Sequence, residues 1–337
     1  MPYLLRRAAE TESMRAGSHW PIWVAVIPVA AWAVVRALGL DRGFPSEAAI
    51  AFTPYAAVVA PLVAVLTLAL QNWAAAAVAV LAAICFGAVI LPRTVGDHTV
   101  GAAGHRTVGV LAANVHEGAA SPQGILQLVE RLHPDVLTIE ELTPHLDREL
   151  EAAGLGTRLP YRVTDAHRFS SGTGIYSNLP LRRLPTADFA ARMVRAEATL
   201  PGGGKLRIVA VHPYPPNRSS QTGEWEEALA ALPSAGHGVP WILAGDFNGT
   251  FDQAPFRAVV ARGYHDAGEV AGKGLESTFP QTGIWPPPIT IDHVLADERL
   301  GIVEYDVEPL PGSDHHAIYA DLALPGHGAG PTAGQEG

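Results

Sequence analysis

The chain of 337 residues has one cysteine, Cys85. A lone thiol excludes an intrachain disulfide framework and a cysteine-based zinc site, and it leaves the redox compartment open. Lysine is almost missing, with Lys205 and Lys273 the two in the chain. Charge of either sign is scarce at the start, where the first 92 residues hold five Arg and four Asp or Glu. From Arg93 onward the balance is acidic: 18 of the 23 basic and 29 of the 33 acidic side chains lie there, a net charge of −11. Duplex DNA owes most of its non-specific affinity to phosphate neutralisation, so an acidic domain suits it poorly. That weighs against duplex nucleic acid as a partner, although a local basic groove is compatible with an acidic whole. No internal repeat is present, and no feature points to a protein partner.

What fills the charge-poor start is apolar. Residues 20–38 are apolar except for Arg36, and residues 48–70 and 73–91 carry no charge. Each run is 19 to 23 residues long, which a helix needs to cross about 30 Å of hydrocarbon. Trp20, Trp23 and Trp73 sit near run ends, as interfacial aromatics do. Pro28, Pro54 and Pro61 are tolerable in membrane helices. A buried helical hairpin of a soluble protein is the alternative, and a cleaved signal peptide would explain the first run alone. Three transmembrane helices are expected, with residues 1–19 a polar cytoplasmic segment. Arg6, Arg7 and Arg15 place the N-terminus inside by the positive-inside rule, against Arg42 in the first loop and no positive charge at Gln71-Asn72. Everything after Leu91 is then extracytoplasmic: a linker at 92–104, a domain at 105–324, and a Gly- and Pro-rich tail at 325–337 expected to be disordered.

Within the domain, strand-like runs alternate with helical patterns, an α/β order. Thr107–Asn114 reads as a buried strand ending in Asn. Ser121 caps a helix that has Pro122 at its first position and runs to Leu132. Asp135–Glu141 is a buried strand ending in two acids, and 144–153 is helical. Short strands follow at 161–163, 174–177, 181–184 and 194–200. Lys205–His212 is a strand ending in His, and 224–232 is helical. Trp241–Ala244 is an apolar run that stops in Gly245-Asp246-Phe247-Asn248. A helix at 253–261, a strand at 289–295, and a strand pair at 302–307 and 316–322 complete the order.

Many of these strands end in, or abut, a group that binds metal or moves protons. These groups are Asn114, Glu141, His212, Asp246 with Asn248, Asp292, and Asp314 with His315. Each has a plain alternative as a turn former, cap or loop residue. Asp246 and Asn248, two apart, point the same way if the strand stays extended. Together the groups suit hydrolysis of a phosphate ester or anhydride. A hard cation such as magnesium, with manganese the alternative, takes oxygen ligands, and Glu141 is the natural first one. Asp246 is placed to act as general base on water. Asn114 and Asn248 can hold phosphate oxygens and the water without adding repulsion. His212 and His315 can donate to the phosphate, and Asp292 is the candidate to orient His315.

In order and spacing, Asn114, Pro134-Asp-Val-Leu-Thr-Ile-Glu-Glu141, Val211-His212, Gly245-Asp-Phe-Asn248, Ile291-Asp292-His and Ser313-Asp314-His315 resemble the endonuclease/exonuclease/phosphatase superfamily over about 105–324. Gly172-Thr-Gly-Ile-Tyr-Ser177 looks like that family's central strand. The resemblance implies a four-layer sandwich of two β-sheets flanked by helices (DNase I-like), with a magnesium-dependent site at one edge. It implies Glu141 as metal ligand, Asn114 and Asn248 as phosphate or metal partners, and Asp246 as base or water-positioning group. His212 and His315 would be the phosphate-binding acid–base pair, Asp314 would lie beside the metal, and Asp292 would orient His315. Two departures stand out. Glu140 replaces the family's usual Gln, and no acid is recognisable as partner of the first histidine.

Three spans ahead of such a domain are similar to the actinomycete teicoplanin-resistance membrane proteins. The implied activity is a membrane-anchored phosphohydrolase on a lipid-linked phosphate or pyrophosphate, such as undecaprenyl pyrophosphate. An anchored phosphodiesterase (nuclease, phospholipase or sphingomyelinase-like) and a catalytically silent binding or resistance protein are the alternatives. The loop Phe279-Pro-Gln-Thr-Gly-Ile-Trp285-Pro-Pro-Pro288 could face the bilayer or a prenyl chain, or could simply bury Trp285.

Overall fold

The structure, a computed structural model, describes residues 20–96, 106–186 and 193–325. The expectations for residues 1–19, for most of the linker and for most of the tail lie outside the described residues.

The N-terminal part is a bundle of apolar helices. Helix α1 (Trp20–Leu38) and helix α4 (Trp73–Ile90) match two of the expected spans. The expected continuous span at 48–70 is corrected: it is a short helix α2 (Ser46–Ile50), a turn, and helix α3 (Thr53–Ala69) of 17 residues. Pro54 is the reason. It has no N–H to donate to a preceding turn and is accommodated in the first turn of α3. Two helices, Trp20–Leu38 and Trp73–Thr94, are therefore long and apolar enough to cross a membrane. The helices meet through small residues, among them Ala33, Ala60, Ala64, Ala75 and Ala79, which allow close approach. Val24, Ile27, Val58, Leu62, Leu81 and Ile84 point outward and are exposed.

The expected linker begins as structure. Leu91–Thr94 forms a 3-10 turn, and Arg93 within it is buried against the following domain.

That domain holds two six-stranded sheets. One has the order β11-β12-β1-β2-β4-β3 and the other β5-β6-β7-β8-β10-β9, where β5 is Leu181–Leu184, β6 Arg195–Thr199, β9 Tyr264–Asp266 and β11 Gly301–Glu308. The strands that matter here are β1 (Thr107–Asn114), β2 (Val136–Glu140), β7 (Lys205–Val211), β8 (Trp241–Asp246), β10 (Asp292–Asp297) and β12 (Ala317–Ala323). Each sheet has one parallel pair, β1 with β2 and β7 with β8, beside antiparallel neighbours. Each pair needs a crossover, supplied by helix α5 (Pro122–Leu132) and helix α8 (Ser219–Ala230), with α6 (Pro144–Ala152) and α7 (Leu155–Arg158) between them in the chain. Ser121 caps α5 by accepting from the Gly124 amide. Strand β4 (Thr173–Ser177), expected to be central, lies one strand from the edge, between β2 and β3 (Tyr161–Asp165).

Alternation along the strands divides the core. On β1, Val108, Val110 and Ala112 face the other sheet, while Leu111 and Ala113 face α5. A third cluster, around Trp225, Phe247 and Phe256, fills the space between the second sheet and α8. The result is four layers, helix–sheet–sheet–helix.

Candidate active site

The parallel pairs bring four strand ends to one edge of the sandwich. Asn114 ends β1 beside Glu140 at the end of β2. His212 directly follows β7, and Asp246 ends β8. Asp292 opens β10 directly opposite Asp246 in register, and His315 lies on the turn before β12. Carboxyl ends of parallel strands are where open α/β sheets build sites.

The backbone at this edge is unusual. His116, Glu117, Glu141 and Asn248 all have positive φ, between 47° and 60°, though none is glycine. Such strain collects where a site over-determines the chain. At Glu141 the twist separates the two acids. Glu140, on the strand, is fully buried between the sheets, whereas Glu141 turns out into the pocket. At Gly245 φ is 136°, and a Cβ there would lie 2.5 Å from the Val211 carbonyl and 2.6 Å from a Glu140 oxygen. Only glycine allows that approach.

Asn248 does not continue the strand, so extended geometry is not what pairs it with Asp246. Its N–H donates to Asp246 Oδ1 at 2.7 Å, an Asx-type turn, and its Nδ2 donates to Asp246 Oδ2 at 3.3 Å. The turn is thus itself the device that sets carboxamide beside carboxylate. Asp246 Oδ2 is the hub of the site. It accepts from Asn114 Nδ2 at 3.0 Å and lies 3.7 Å from His212 Nε2 and 3.8 Å from His315 Nε2. His315 Nδ1 lies 2.9 Å from Asp292 Oδ2. Ser313 fixes this turn: its hydroxyl donates to the Asn114 carbonyl and accepts from the His315 amide.

Electrostatics sort the groups. Burial, then the nearby Asp292 charge, raises Asp246 to about 7. Burial opposes charge on His315, but Asp292 and Asp246 outweigh it and raise that imidazole to about 10. Burial holds His212 below the ordinary histidine value, against the pull of Glu141, and the neighbouring His315 lowers it further. Two histidines with opposite displacements are what separates a proton donor from a neutral partner. Glu140 is pushed well above the usual carboxylate range by burial and by the Asp292 charge, with Thr138 pulling the other way.

The donor set fits a hard cation. Glu141 faces the opening; its Oε2 accepts from the Glu117 amide at 2.7 Å, and Asn114 Nδ2 lies 3.3 Å from its Oε1. Asp314 lines the same cavity, and its Oδ1 lies 3.0 Å from His116 Nδ1. Asn114 turns its Nδ2 to Glu141 and Asp246 while its Oδ1 accepts from the His116 amide, so the carboxylates of Glu141 and Asp314 are the oxygen donors of the kind magnesium takes. Asp246, Asp292 and His315 also bring ligand atoms within 4.8 Å of one another. That trio is buried, and within it His315 Nδ1 lies 2.9 Å from Asp292 Oδ2.

These polar groups floor a cavity of about 530 Å³. Glu141, His212, Asp246, Asn248, Asp314 and His315 line it directly, while Asn114 and Asp292 lie behind them. His116, Glu117, Ser170 and Tyr214 also line it, and no sequence signal marked them. The backbone of Ser170 hydrogen-bonds His212, whose Nε2 lies 3.6 Å from Glu141 Oε1. Ala48, Ala51 and Phe52, from the connection between α1 and α3, close one side. Ile284 and Trp285 project into solvent, 88% and 84% exposed, so Trp285 is not packed under its loop.

A sequence model described as the Endonuclease/Exonuclease/phosphatase family matches residues 111–315, more than half of the chain. No curated protein matches it. Among solved structures, humanized D. rerio TDP2 carrying 14 mutations superposes with TM-score 0.51 at 18% identity, over 65% of this chain and 99% of that one. D. rerio TDP2 complexed with single strand DNA product gives 0.50 at 19% identity, with the same coverage. At such identity the likeness shows a shared fold.

Proposed function

Since the chain belongs to the endonuclease/exonuclease/phosphatase family and is a phosphoester hydrolase, we propose that it is membrane-anchored and magnesium-dependent, acting on a lipid-linked phosphate or pyrophosphate such as undecaprenyl pyrophosphate outside the cytoplasm. The observation that carries this reading is one cavity with hydrolytic groups on its floor and the α1–α3 connection as a wall. Among the described residues, no Lys or Arg lines that cavity, which suits a nucleic-acid backbone poorly. In this reading α3, apolar along its 17 residues, crosses together with α1 and α4, and three crossings put the domain outside. Arg36 and Arg93 both pair with Asp252, and Arg42 with Glu226, so the positive charge of the first loop is neutralised by the domain it faces. The layout, 20–91 in the membrane and 105–324 outside, is similar to that of the actinomycete teicoplanin-resistance membrane proteins.

In this reading Asp246, poised near neutrality, takes the proton of the attacking water, and Asn248 and Asn114 hold its carboxylate in place. His315, a cation held by Asp292, donates from Nε2 to the phosphate or its leaving oxygen. His212, neutral, gives a hydrogen bond without adding charge. Glu141 and Asp314, with Asn114 behind them, would hold magnesium. The ion supplies neutralisation of charge on the phosphoryl oxygens.

The test is the purified full chain with magnesium on undecaprenyl pyrophosphate, phosphatidyl and sphingo-lipids, and single-stranded and duplex DNA. Preferred turnover of the lipid pyrophosphate, lost in His315→Ala, is expected. Preferred turnover of DNA or of phospholipid diesters would replace this reading with an anchored phosphodiesterase. No turnover on any, unchanged by Glu141→Ala, would leave a silent binding protein.

A further inference from the structure

We propose that the α1–α3 connection is a specificity wall of the pocket, binding the hydrocarbon that immediately follows the substrate's phosphate; this rests on the lipid-phosphate reading. The connection is fastened to the domain rather than merely passing it. Asp41 Oδ2 accepts from the Ala254 amide at 2.7 Å, and Gln253 Nε2 donates to the Glu47 carbonyl at 3.0 Å. Below it Arg36 and Arg93 both hold Asp252, which is fully buried. These bonds hold Ala48, Ala51 and Phe52 at the cavity edge.

A second wall of the same cavity is formed by Phe279, Pro286 and Ile289 of the proline-rich segment. The two walls are joined where Tyr55, in the first turn of α3, donates its hydroxyl to the Pro288 carbonyl at 2.8 Å. Beyond that junction the same loop carries the exposed Ile284 and Trp285. In the proposal the hydrocarbon leaves the cavity floor along the apolar side chains of these two segments, a path directed toward the helices. Apolar surface this close to a phosphate site gains nothing from an inorganic phosphate or a sugar phosphate. It gains from a chain of methylenes or isoprene units leaving the phosphate toward a bilayer.

The probes are n-butyl and n-octyl phosphate, titrated calorimetrically into the full chain in lipid nanodiscs with magnesium. Octyl phosphate binds more tightly, by about fourfold for each methylene that reaches the wall. Ala48→Trp, at a half-buried position, and Ala51→Leu each narrow the path, and in both the octyl-over-butyl preference falls by at least tenfold. Unfolding temperatures measured alongside show that the variants are folded. Equal affinity for the two phosphates in the unmodified chain overturns the proposal. So does a preference that both folded variants retain. Failure here is distinct from failure of the reaction. A chain-length preference without turnover of any lipid-linked phosphate keeps the wall and removes the activity. Turnover without a chain-length preference does the reverse.

Discussion

Asp292→Asn isolates the electrostatic part of the site from its shape. The substitution keeps the volume and leaves an oxygen able to accept from His315 Nδ1, now 2.9 Å away, but removes the buried charge that most favours the imidazolium. Holding a histidine at about 10 rather than 6.5 corresponds to roughly 5 kcal/mol of preference for its charged form. Because the folded-state value is raised, that contribution is fully present below pH 6.5 and is lost as pH climbs through about 10. If the variant's His315 returns to its ordinary value, the protonated fraction at pH 9 falls roughly 300-fold, whereas at pH 6 it falls by less than about twofold. The assay is kcat/KM against pH at saturating magnesium for both proteins. The expected result is an alkaline limb moved from near 10 down toward neutrality, with activity at pH 6 reduced far less than at pH 9. An alkaline limb left in place, or an equal loss at every pH, would refute the electrostatic role and leave Asp292 a packing residue. The imidazole Cε1–H resonance of His315, followed through the same pH range, reports the shift directly.

Asp252→Ala leaves two buried arginines without their partner, and a loss of about 3–5 kcal/mol is expected in denaturant unfolding of the full chain; a change under 1 kcal/mol would mean the clamp between helices and domain contributes little. Glu141→Gln removes the outward-facing charge of the cation cradle, so the magnesium concentration for half-maximal activity rises at least tenfold with the fold intact; an unchanged magnesium dependence would move the ion to the Asp246–Asp292–His315 trio. Asp246→Asn abolishes nearly all hydrolysis while keeping the Asn248 turn, since a carboxamide oxygen still accepts from that amide; near-normal turnover would return this stretch to a purely structural turn. A periplasm-active reporter fused after Gly326 is expected to be active, and activity of a cytoplasm-only reporter instead would invert the topology.

Local patterns made the framework readable. The exact match of Thr107–Asn114, the Ser121-Pro122 start of α5 and the stop of β8 at Asp246 follow from burial, capping and a polar cluster, all of which act within a few residues. The same patterns misjudged the run at 48–70. Hydropathy averages over a window, while a single proline acts at one peptide, and Pro54 restarts the helix where composition shows no break.

By itself the sequence determined the apolar helices, the alternating domain and the list of polar groups at strand ends, because each depends on neighbours along the chain. Tertiary structure decided what those groups do to one another. The register of β10 on β8 sets Asp292 opposite Asp246, 46 positions earlier in the chain, and the backbone turn at Glu141 exposes one acid of a pair while burying the other. His116, Glu117 and Ser170 enter the site through loop conformation, for which no periodicity exists. The α1–α3 connection enters it through docking bonds to residues about 200 positions away, such as Glu47 to Gln253. Proton affinities follow from the same packing: two buried histidines diverge because Asp292 and Asp246 outweigh desolvation at His315, whereas Glu141 does not outweigh it at His212.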